Sequence, residues 1–283
     1  MSRSVTSRSS RVNVSRGAYV NLVPFLFGLA GTEAMPGVAL VRLLNEVGVG
    51  EAAARSLLAR MRRNGYLATE RRGKGAVYGL NGSFLAAFRR ARDGGFRAPQ
   101  PWEGWFHAVF YTVPEDRRAF RDKLRRAATL AGYGQMQPGV LISLTDLRAR
   151  LDEELGGTPP AGTVRYGRVG LDTADAAEIA RRAWELDELA QRYREHTARL
   201  AAALADNAAL ADGAPRALTV REYVDLFGTA LTDTLRAPPL PPELLPPDWP
   251  LPALFQTVGR VFATLGPQVG AQARRIVAES ERG

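Results

Sequence analysis

The clearest hydrophobic pattern in the chain lies between residues 48 and 65. Its apolar stripe follows the i, i+3, i+4, i+7 spacing of one helix face and consists of Ala54, Leu57, Leu58 and Met61. Glu51 in the first turn suits the positive end of the helix dipole, and Gly65 is a favourable residue just beyond the C-terminus. The pattern therefore predicts an amphipathic helix.

Arginine occupies much of the polar surface of this predicted helix. Arg55 and Arg62 are seven residues apart and share a face away from the stripe, whereas Arg60 and Arg63 lie beside it. A helix that presents guanidinium groups fits the DNA major groove, where arginine can bond to O6 and N7 of guanine together. A solvated arginine face on an ordinary helix is the alternative interpretation.

Two short alternating runs follow the helix and predict a β-hairpin. They are Tyr66–Thr69 and Ala76–Leu80, and the tip between them carries Arg71, Arg72 and Lys74. A basic tip can contact phosphates or a neighbouring minor groove. Helix followed by basic hairpin is the order of a winged helix-turn-helix, which favours DNA binding over the solvated-face alternative.

The predicted winged-helix domain covers residues 18–93. Tyr19–Leu29 is an apolar first helix with Pro24 inside it, and Val38–Val47 is a second helix introduced by Pro36. Ser83–Arg92 closes the domain. Residues 1–17 are expected to be a disordered basic arm, and residues 94–101 have the Gly and Pro content of a linker.

Residues 102–171 change to an aromatic and β-branched pattern that predicts a second domain. The predicted elements are strands at 102–113, 133–137, 140–144 and 163–169, and helices at 114–131 and 145–155. Thr145 is the expected N-cap of the second helix. The order β-α-β-β-α-β matches a ferredoxin-like domain.

The remaining residues, 172–283, are predicted to be a helical C-terminal domain. Helices are expected at 176–205, 219–235 and 252–279, with a possible break near Gly266. A proline-rich segment at 236–250 interrupts them, and its bulky apolar residues favour internal packing over service as a ligand for another protein. These residues are Leu240, Leu244, Leu245 and Trp249. The fold class predicted for the whole chain is α+β.

The net charge of +9 is distributed unevenly along the 283 residues. Residues 1–98 hold 16 basic and 5 acidic side chains, whereas residues 99–283 hold 22 and 24. The positive charge is therefore confined to the segment with the predicted helix and hairpin, as phosphate binding requires. This split argues against both an enzyme and a scaffold that binds no DNA.

Composition also bounds the location and chemistry of the protein. No apolar run approaches the roughly 18 residues of a membrane span, and the N-terminal residues lack the apolar core of a secretory signal. The chain has no cysteine, which excludes disulfides, thiolate catalysis and cysteine-bound metals. A cytoplasmic protein without membrane association, metal or cofactor is expected.

Four stretches resemble the PaaX-like transcriptional regulators, the phenylacetate-catabolism repressor family. They are Phe25–Gly28, the helix and exit at Ala54–Leu67, the motif Trp102–Trp105, and the unusual string LPPELLPPDWP at Leu240–Pro250. The last is the most specific. The chain departs from the family pattern at Leu29 and Ala237, where the family has aspartate.

The resemblance implies a homodimeric repressor on an inverted-repeat operator in double-stranded DNA, released by a small acyl-CoA-like effector. By matching position it makes Arg55, Arg60, Arg71, Arg72 and Lys74 candidate DNA contacts. Three residues of the same predicted helix complete the predicted set: Ser56, Arg62 and Arg63. Candidate effector contacts, chosen as aromatic and basic side chains able to hold an acyl group and phosphates, are Trp102, Trp105, Arg125, Trp184 and Tyr193.

Catalysis is the competing function, in a paralogue whose middle and C-terminal domains bind a small molecule. His107 and His196 are the two histidines, and neither has a partner at metal-ligand spacing. Ser143 and Asp146 lie close in sequence, but a cap and turn explain them. No glycine-rich phosphate loop follows a predicted strand. No catalytic residue is therefore predicted.

Overall fold

The computed structural model describes residues 18–73, 75–92, 101–157, 159, 164–209, 217–236 and 238–282. The helices are α1 (Ala18–Ala30), α2 (Gly37–Glu46), α3 (Glu51–Arg63), α4 (Gly82–Arg92), α5 (Arg118–Ala131), α6 (Arg148–Leu155), α7 (Thr173–Ala183), α8 (Leu186–Ala209), α9 (Val220–Arg236) and α10 (Leu251–Arg282). The strands are β1 (Ala34–Pro36), β2 (Leu67–Arg72), β3 (Gly75–Leu80), β4 (Trp105–Tyr111), β5 (Gly134–Gln137), β6 (Val140–Ser143) and β7 (Val164–Gly170). Helices combined with two antiparallel sheets confirm the predicted α+β class.

The predicted basic arm, 1–17, and residues 94–100 of the predicted linker lie outside the described residues. The chain divides into two compact units. The first contains residues 1–96, 207–228 and 261–283, and the second contains residues 97–206 and 229–260. Segments of the predicted C-terminal domain therefore belong to both units.

The sheet of the first unit has the strand order β1-β3-β2. Strands β2 and β3 pair antiparallel over six residues, from Leu67 opposite Leu80 to Arg72 opposite Gly75. The apolar stripes of α2 and α3 and one face of α1 supply the core beside this sheet. Its fully buried side chains include Leu26, Phe27, Leu40, Leu43, Leu44, Leu58 and Met61.

Strand β1 was not predicted from the sequence. Three residues that end in Pro36 are too few to show alternation, and proline disfavours a central strand. Pairing creates this strand, because Ala34 lies opposite Gly79 on β3 and the Leu80 amide donates to the Glu33 carbonyl at 3.0 Å. Proline is tolerated since β1 is at the sheet edge.

An aromatic cluster joins the N-terminal and C-terminal segments of the first unit. The ring of Phe25 lies 6.1 Å from the rings of both Tyr223 and Phe227, and the ring of Phe262 stacks on that of Phe227 at 4.8 Å. Arg42 of α2 also pairs with Glu279 of α10 at 2.9 Å. Burial of large aromatic surface supplies most of the stabilisation here, since exposed ion pairs contribute about 0–1 kcal/mol.

The sheet of the second unit is antiparallel with strand order β5-β6-β4-β7. Helices α5 and α6 pack on one face through a core that includes Val109, Tyr111, Leu124, Ala128 and Leu151. The opposite face is covered by α7 and the proline-rich segment, in a core that includes Phe106, Ile142, Ala180, Leu240 and Leu244. Successive residues of β4 therefore serve the two faces in turn.

Packing of the proline-rich segment against the protein confirms the preferred interpretation of its sequence. Leu240 and Leu244 are buried, and Leu245 and Trp249 pack against the same core. A 3₁₀ turn at Pro242–Leu244 places these side chains inward. Regularly interspersed apolar residues thus mark a segment that its own protein buries.

Two predictions about helices in the second unit were wrong. Thr145 does not cap α6, whose N-cap is Leu147, because Asp146 instead accepts the Arg148 amide in a tight turn. The single helix expected at 176–205 is two helices, α7 and α8, separated at Glu185 with φ of +50°. Apolar periodicity alone does not reveal a one-residue break of this kind.

Helix α10 continues through the expected break near Gly266, with Pro267 inside it. Proline is tolerated where neighbouring packing holds a helix together despite the missing backbone donor. Among the described residues, no helix combines the length and apolarity needed to cross a membrane.

Gly134 at the start of β5 offers a test of packing in the second unit. An added Cβ would lie 2.8 Å from the Trp184 ring and 2.9 Å from the Ala183 Cβ. We expect Gly134→Ala to lower the free energy of unfolding by about 1–3 kcal/mol through overpacking. Gly259→Ala is the control, because open space surrounds that helical glycine and alanine should be neutral or stabilising. Urea midpoints of the two variants provide the measurement, and equal midpoints would contradict this packing.

Candidate functional site

Helix α3 has one buried and one exposed face. Ala54, Leu57, Leu58 and Met61 are buried, as the sequence predicts. Residues advance about 100° each around a helix, so Ser56 and Arg63 point most directly away from this stripe, and the expected position of Arg63 beside the stripe was wrong. Arg55 and Arg62 lie to one side of Ser56 and Arg63 around the helix, and Arg60 lies to the other side. All five of these side chains are exposed.

The cations on this face differ in their pairing. Arg55 donates to Glu51 one turn earlier at 2.5 Å. Arg60, Arg62 and Arg63 have no ion pair or side-chain hydrogen bond within the described residues. A row of exposed guanidinium groups without carboxylate partners keeps its positive potential for an external anion. The C-terminal half of α3 therefore presents the stronger field.

The hairpin of β2 and β3 extends beyond the core of the first unit. Leu67 and Leu80 at its base are buried, whereas all of β2 from Ala68 onward is exposed. Arg71 and Arg72 lie near the tip, and Gly73 takes the left-handed backbone conformation that a tight turn requires, with φ of +58°. Lys74, predicted as a DNA contact, lies outside the described residues. The outer part of this hairpin therefore does not contribute to the core, and its basic side chains are available to an external partner.

A set of short contacts fixes the direction in which the hairpin leaves α3. Gly65 ends the helix region with φ of +73°, and its carbonyl accepts from the Asn81 side chain at 3.1 Å. The Asn81 backbone N–H donates to the Tyr66 carbonyl at 2.9 Å, and the Tyr66 ring stacks on the Phe84 ring with their centres 4.7 Å apart. Sequence reasoning missed Asn81 and Phe84 because they carry no charge or periodic signal. They fix the position of the hairpin arginines relative to the arginines of α3.

The predicted effector residues are distributed over several places in the second unit. Trp102 and Trp184 both pack on Phe106, at ring distances of 4.5 and 6.0 Å. Tyr193 is fully buried against Trp249, and Arg125 is exposed on α5. Trp105 lies beside His107, at 4.7 Å. The structure does not gather the five into one cavity.

A cleft in the second unit gathers other polar residues. It has a volume of about 470 Å³ and lies on the sheet face that carries α5 and α6, beside the turn that leads into α6. Its lining residues are His107, Ala108, Tyr133, Asp146, Arg148, Tyr166, Gly167 and Arg168. The register explains the grouping, because His107 lies opposite Arg168 and Val109 lies opposite Tyr166, which places these side chains on one face.

The two arginines of this cleft differ in their partners. Arg148 forms a two-pronged pair with Asp146, with its Nε 2.9 Å from both carboxylate oxygens, and lies over the Tyr166 ring at 5.5 Å. Arg168 lies over the Trp105 ring at 3.8 Å. In the part of the chain that the structure describes, the Arg168 side chain makes no hydrogen bond or ion pair. Its planar donor edge is therefore unused.

The neighbouring groups set the charge of the cleft. Hydrogen bonds from Arg148 lower the pKa of Asp146 to about 2, so this carboxyl is ionised at neutral pH. Burial lowers the pKa of His107, which favours the neutral imidazole, and burial raises the pKa of Tyr133 to about 12. At neutral pH two guanidinium groups therefore face one carboxylate.

Sequence reasoning singled out His107 and Asp146 but assigned them structural roles, and it missed Tyr166 and Arg168. The available signal was the alternation in β7, where residues 164, 166 and 168 share a face. Which partners meet that face depends on the pairing of β7 with β4, which is a long-range contact.

Comparison with known proteins gives consistent matches along most of the chain. The family model of the PaaX-like protein matches residues 27–83, that of the PaaX protein central Cas2-like domain matches residues 99–176, and that of the PaaX-like protein C-terminal domain matches residues 184–279. The transcriptional repressor PaaX of Escherichia coli (strain K12) is 28% identical over 221 residues, which cover 75% of this chain and 68% of that protein.

A solved structure, that of an uncharacterised protein from Mycobacterium tuberculosis, also resembles this protein. The TM-score is 0.54 at 21% identity, and the match covers 93% of this chain and 98% of that chain. This likeness concerns the fold alone. The three family models, which lie in order along the sequence, identify the protein: the chain belongs to the PaaX-like family.

Proposed function

We propose that the protein is a transcriptional repressor that binds double-stranded DNA through a winged helix-turn-helix at residues 18–93. The observation that supports this function best is a row of exposed arginines on α3, next to an exposed basic hairpin. These arginines are Arg60, Arg62 and Arg63, which have no carboxylate partner among the described residues. The similarity to a protein named transcriptional repressor PaaX supports the same function. The positive charge of residues 1–98 agrees with a phosphate-binding segment.

The arrangement of elements supports a winged-helix fold for this segment. The order is helix, strand, helix, helix and then a two-stranded hairpin, and the first strand pairs with the hairpin. In DNA-binding proteins of the helix-turn-helix type, the recognition helix lies in the major groove. Helix α3 would take that position here, with α2 preceding it.

The residues of α3 would divide the recognition task. Arg63 and Ser56 point away from the core and would reach base edges, where arginine bonds to O6 and N7 of guanine. Arg60 and Arg62 flank them within reach of bases or phosphates. Arg55 would first have to leave Glu51, its partner at 2.5 Å, or share its donors with DNA. We therefore expect Arg55 to contribute less than Arg60 to binding.

The hairpin would contact the DNA backbone. Arg71 and Arg72 are exposed near its tip, and Lys74 follows them in the sequence. Contacts to phosphate fix position and add affinity, but they carry no direct sequence information. Asn81 and the ring stack between Tyr66 and Phe84 would maintain the angle between helix and hairpin, so that both reach the same duplex.

The other domains would supply dimerisation and control. We place a ferredoxin-like domain at residues 102–171, supported by the strand order β5-β6-β4-β7 and the element order β-α-β-β-α-β. A helical domain would follow at residues 172–283. A homodimer would bind an inverted-repeat operator, because twofold symmetry in the protein matches twofold symmetry in the DNA. A small acyl-CoA-like effector would release the repressor.

Specific binding to DNA is the first test of this function. Purified protein is incubated with DNA from upstream of its own and neighbouring genes, with excess competitor DNA at a stated salt concentration, and complexes are separated by gel electrophoresis. We expect a shifted band that competitor does not remove. A folded protein that shifts no fragment beyond the competitor background would rule out the proposed function.

Arg60→Ala tests base recognition by α3. If Arg60 contacts a base, the variant should lose about 1–3 kcal/mol of binding free energy on the operator, with little change on random DNA. Titrations on both DNAs provide the measurement. Arg194→Ala is the control, since Arg194 is exposed on α8 in the second unit. An equal loss on both DNAs would instead make Arg60 a phosphate contact.

Replacing Arg71 and Arg72 together by alanine tests the hairpin. Each lost phosphate contact should reduce the slope of log affinity against log salt by about 0.9, and binding should weaken on specific and random DNA alike. Affinities measured at several salt concentrations give the slope. A slope unchanged from that of the parent protein would show that the hairpin does not contact the backbone.

A further inference from the structure

The cleft beside His107 contains a cationic group whose hydrogen-bonding capacity is unused. The Arg168 guanidinium lies over the Trp105 ring at 3.8 Å, and no acceptor within the described residues occupies its side-chain donors. Tyr166 lies two residues before Arg168 on the same face of β7, and its side chain is 40% exposed despite its size. Arg168 is exposed, so its donors are open to an external anion.

We propose that this cleft binds a small organic anion, a carboxylate or phosphate ester attached to a flat ring, with Arg168 as the principal anion contact. This site goes beyond the proposed function, because a carboxylate or phosphate ester on a flat ring is a different ligand from the acyl-CoA-like effector proposed above. This site differs from the effector contacts chosen from the sequence, none of which lines the cleft.

The charge of the cleft supports an anionic ligand. Arg148 and Arg168 face one ionised carboxylate, that of Asp146, and the neutral His107 adds no charge. Arginine binds carboxylate and phosphate through two parallel hydrogen bonds, which need an accessible guanidinium edge. Arg168 has that edge, and Arg148 has already used its own on Asp146.

The shape and lining of the cleft support a ligand with a flat ring. Its volume of about 470 Å³ falls within the range of pockets for small molecules. The rings of Tyr133, His107 and Tyr166 line it, and aromatic walls accept a planar group by stacking or edge contact. The hydroxyl groups of the two tyrosines stay protonated, because burial raises the pKa of both. The Tyr166 hydroxyl can therefore donate to the anion, whereas that of Tyr133 already interacts with Ser143.

Asp146 would oppose the ligand. Its carboxylate occupies Arg148 and brings negative charge to the site where the anion binds. In Asp146→Asn the amide oxygen can still accept the Arg148 backbone N–H, so the turn into α6 is retained while the charge is removed. This substitution should therefore strengthen anion binding, a gain that a purely structural role of the ion pair would not produce.

Calorimetric titration of the full chain tests the site. Benzoate and phenyl phosphate are the anionic probes, benzamide is the neutral isostere of benzoate, and acetate and inorganic phosphate lack the ring. We expect at least one ring-bearing anion to bind in the millimolar range or tighter, more strongly than its ringless counterpart, and benzamide not to bind. The stronger of the two ring-bearing probes identifies the anion as carboxylate or phosphate ester.

Variants locate the binding. Arg168→Gln should weaken it by about tenfold or more, since a charge-assisted pair of hydrogen bonds is lost. Arg165→Gln is the matched control, because it removes the same charge from the same strand but on the opposite face, and it should leave affinity within about twofold. Asp146→Asn should tighten binding several-fold. If Arg168→Gln fails to fold by circular dichroism, Arg168→Lys replaces it, with affinity expected between those of the parent and no binding.

Several results would overturn the assignment. These are no binding of either ring-bearing anion, equal affinity in the Arg168 and Arg165 variants, or binding of benzamide as strong as that of benzoate. The gel shift of the same variants separates this proposal from the proposed function. If the protein forms a specific DNA complex but binds no anion, the proposed anion site is wrong and the repressor function still stands. If anion binding depends on Arg168 but the protein shifts no DNA, the anion site stands and the proposed repressor function is wrong.

Discussion

Burial of the apolar stripe on α3 is the constraint on which the first unit depends. Leu58 and Met61 are almost completely buried in the core beside α2, and this fixes the rotation of the helix about its axis. A helix fixed in this way must present its remaining residues outward, so Ser56 and Arg63 are aimed at solvent by the packing of their neighbours. The energy that holds the core also orients the surface that we propose to read DNA.

The direction of the hairpin also depends on contacts made elsewhere in the first unit. Its outer half has almost no buried side chain, and register alone does not determine where it points. Asn81 supplies that direction, because it bonds to both Gly65 and Tyr66 where the helix ends and the strand begins. Small local contacts with net energies of about 1 kcal/mol each thus control the geometry of a large charged surface.

The second unit places its polar residues through strand pairing. His107 and Arg168 are 61 positions apart in the sequence but directly opposite in the sheet, with Tyr166 on the same face. The cations at this site are of two kinds, since Arg148 is paired with Asp146 and the Arg168 side chain has no acceptor in the described part of the chain. That asymmetry gives the cleft its chemical preference, since a site whose charges were all paired would have little affinity for an anion.

Local patterns determined much of this protein without a structure: the α+β class, the stripe of α3, the hairpin, the inward packing of Leu240 and Leu244, and the family. These features rest on contacts between residues close in sequence, or on distinctive strings such as LPPELLPPDWP. Strand β1, the break at Glu185 and the cleft around Arg168 required the tertiary structure. Each depends on a partner distant in the chain or on a single backbone angle, and neither leaves a periodic trace in the sequence.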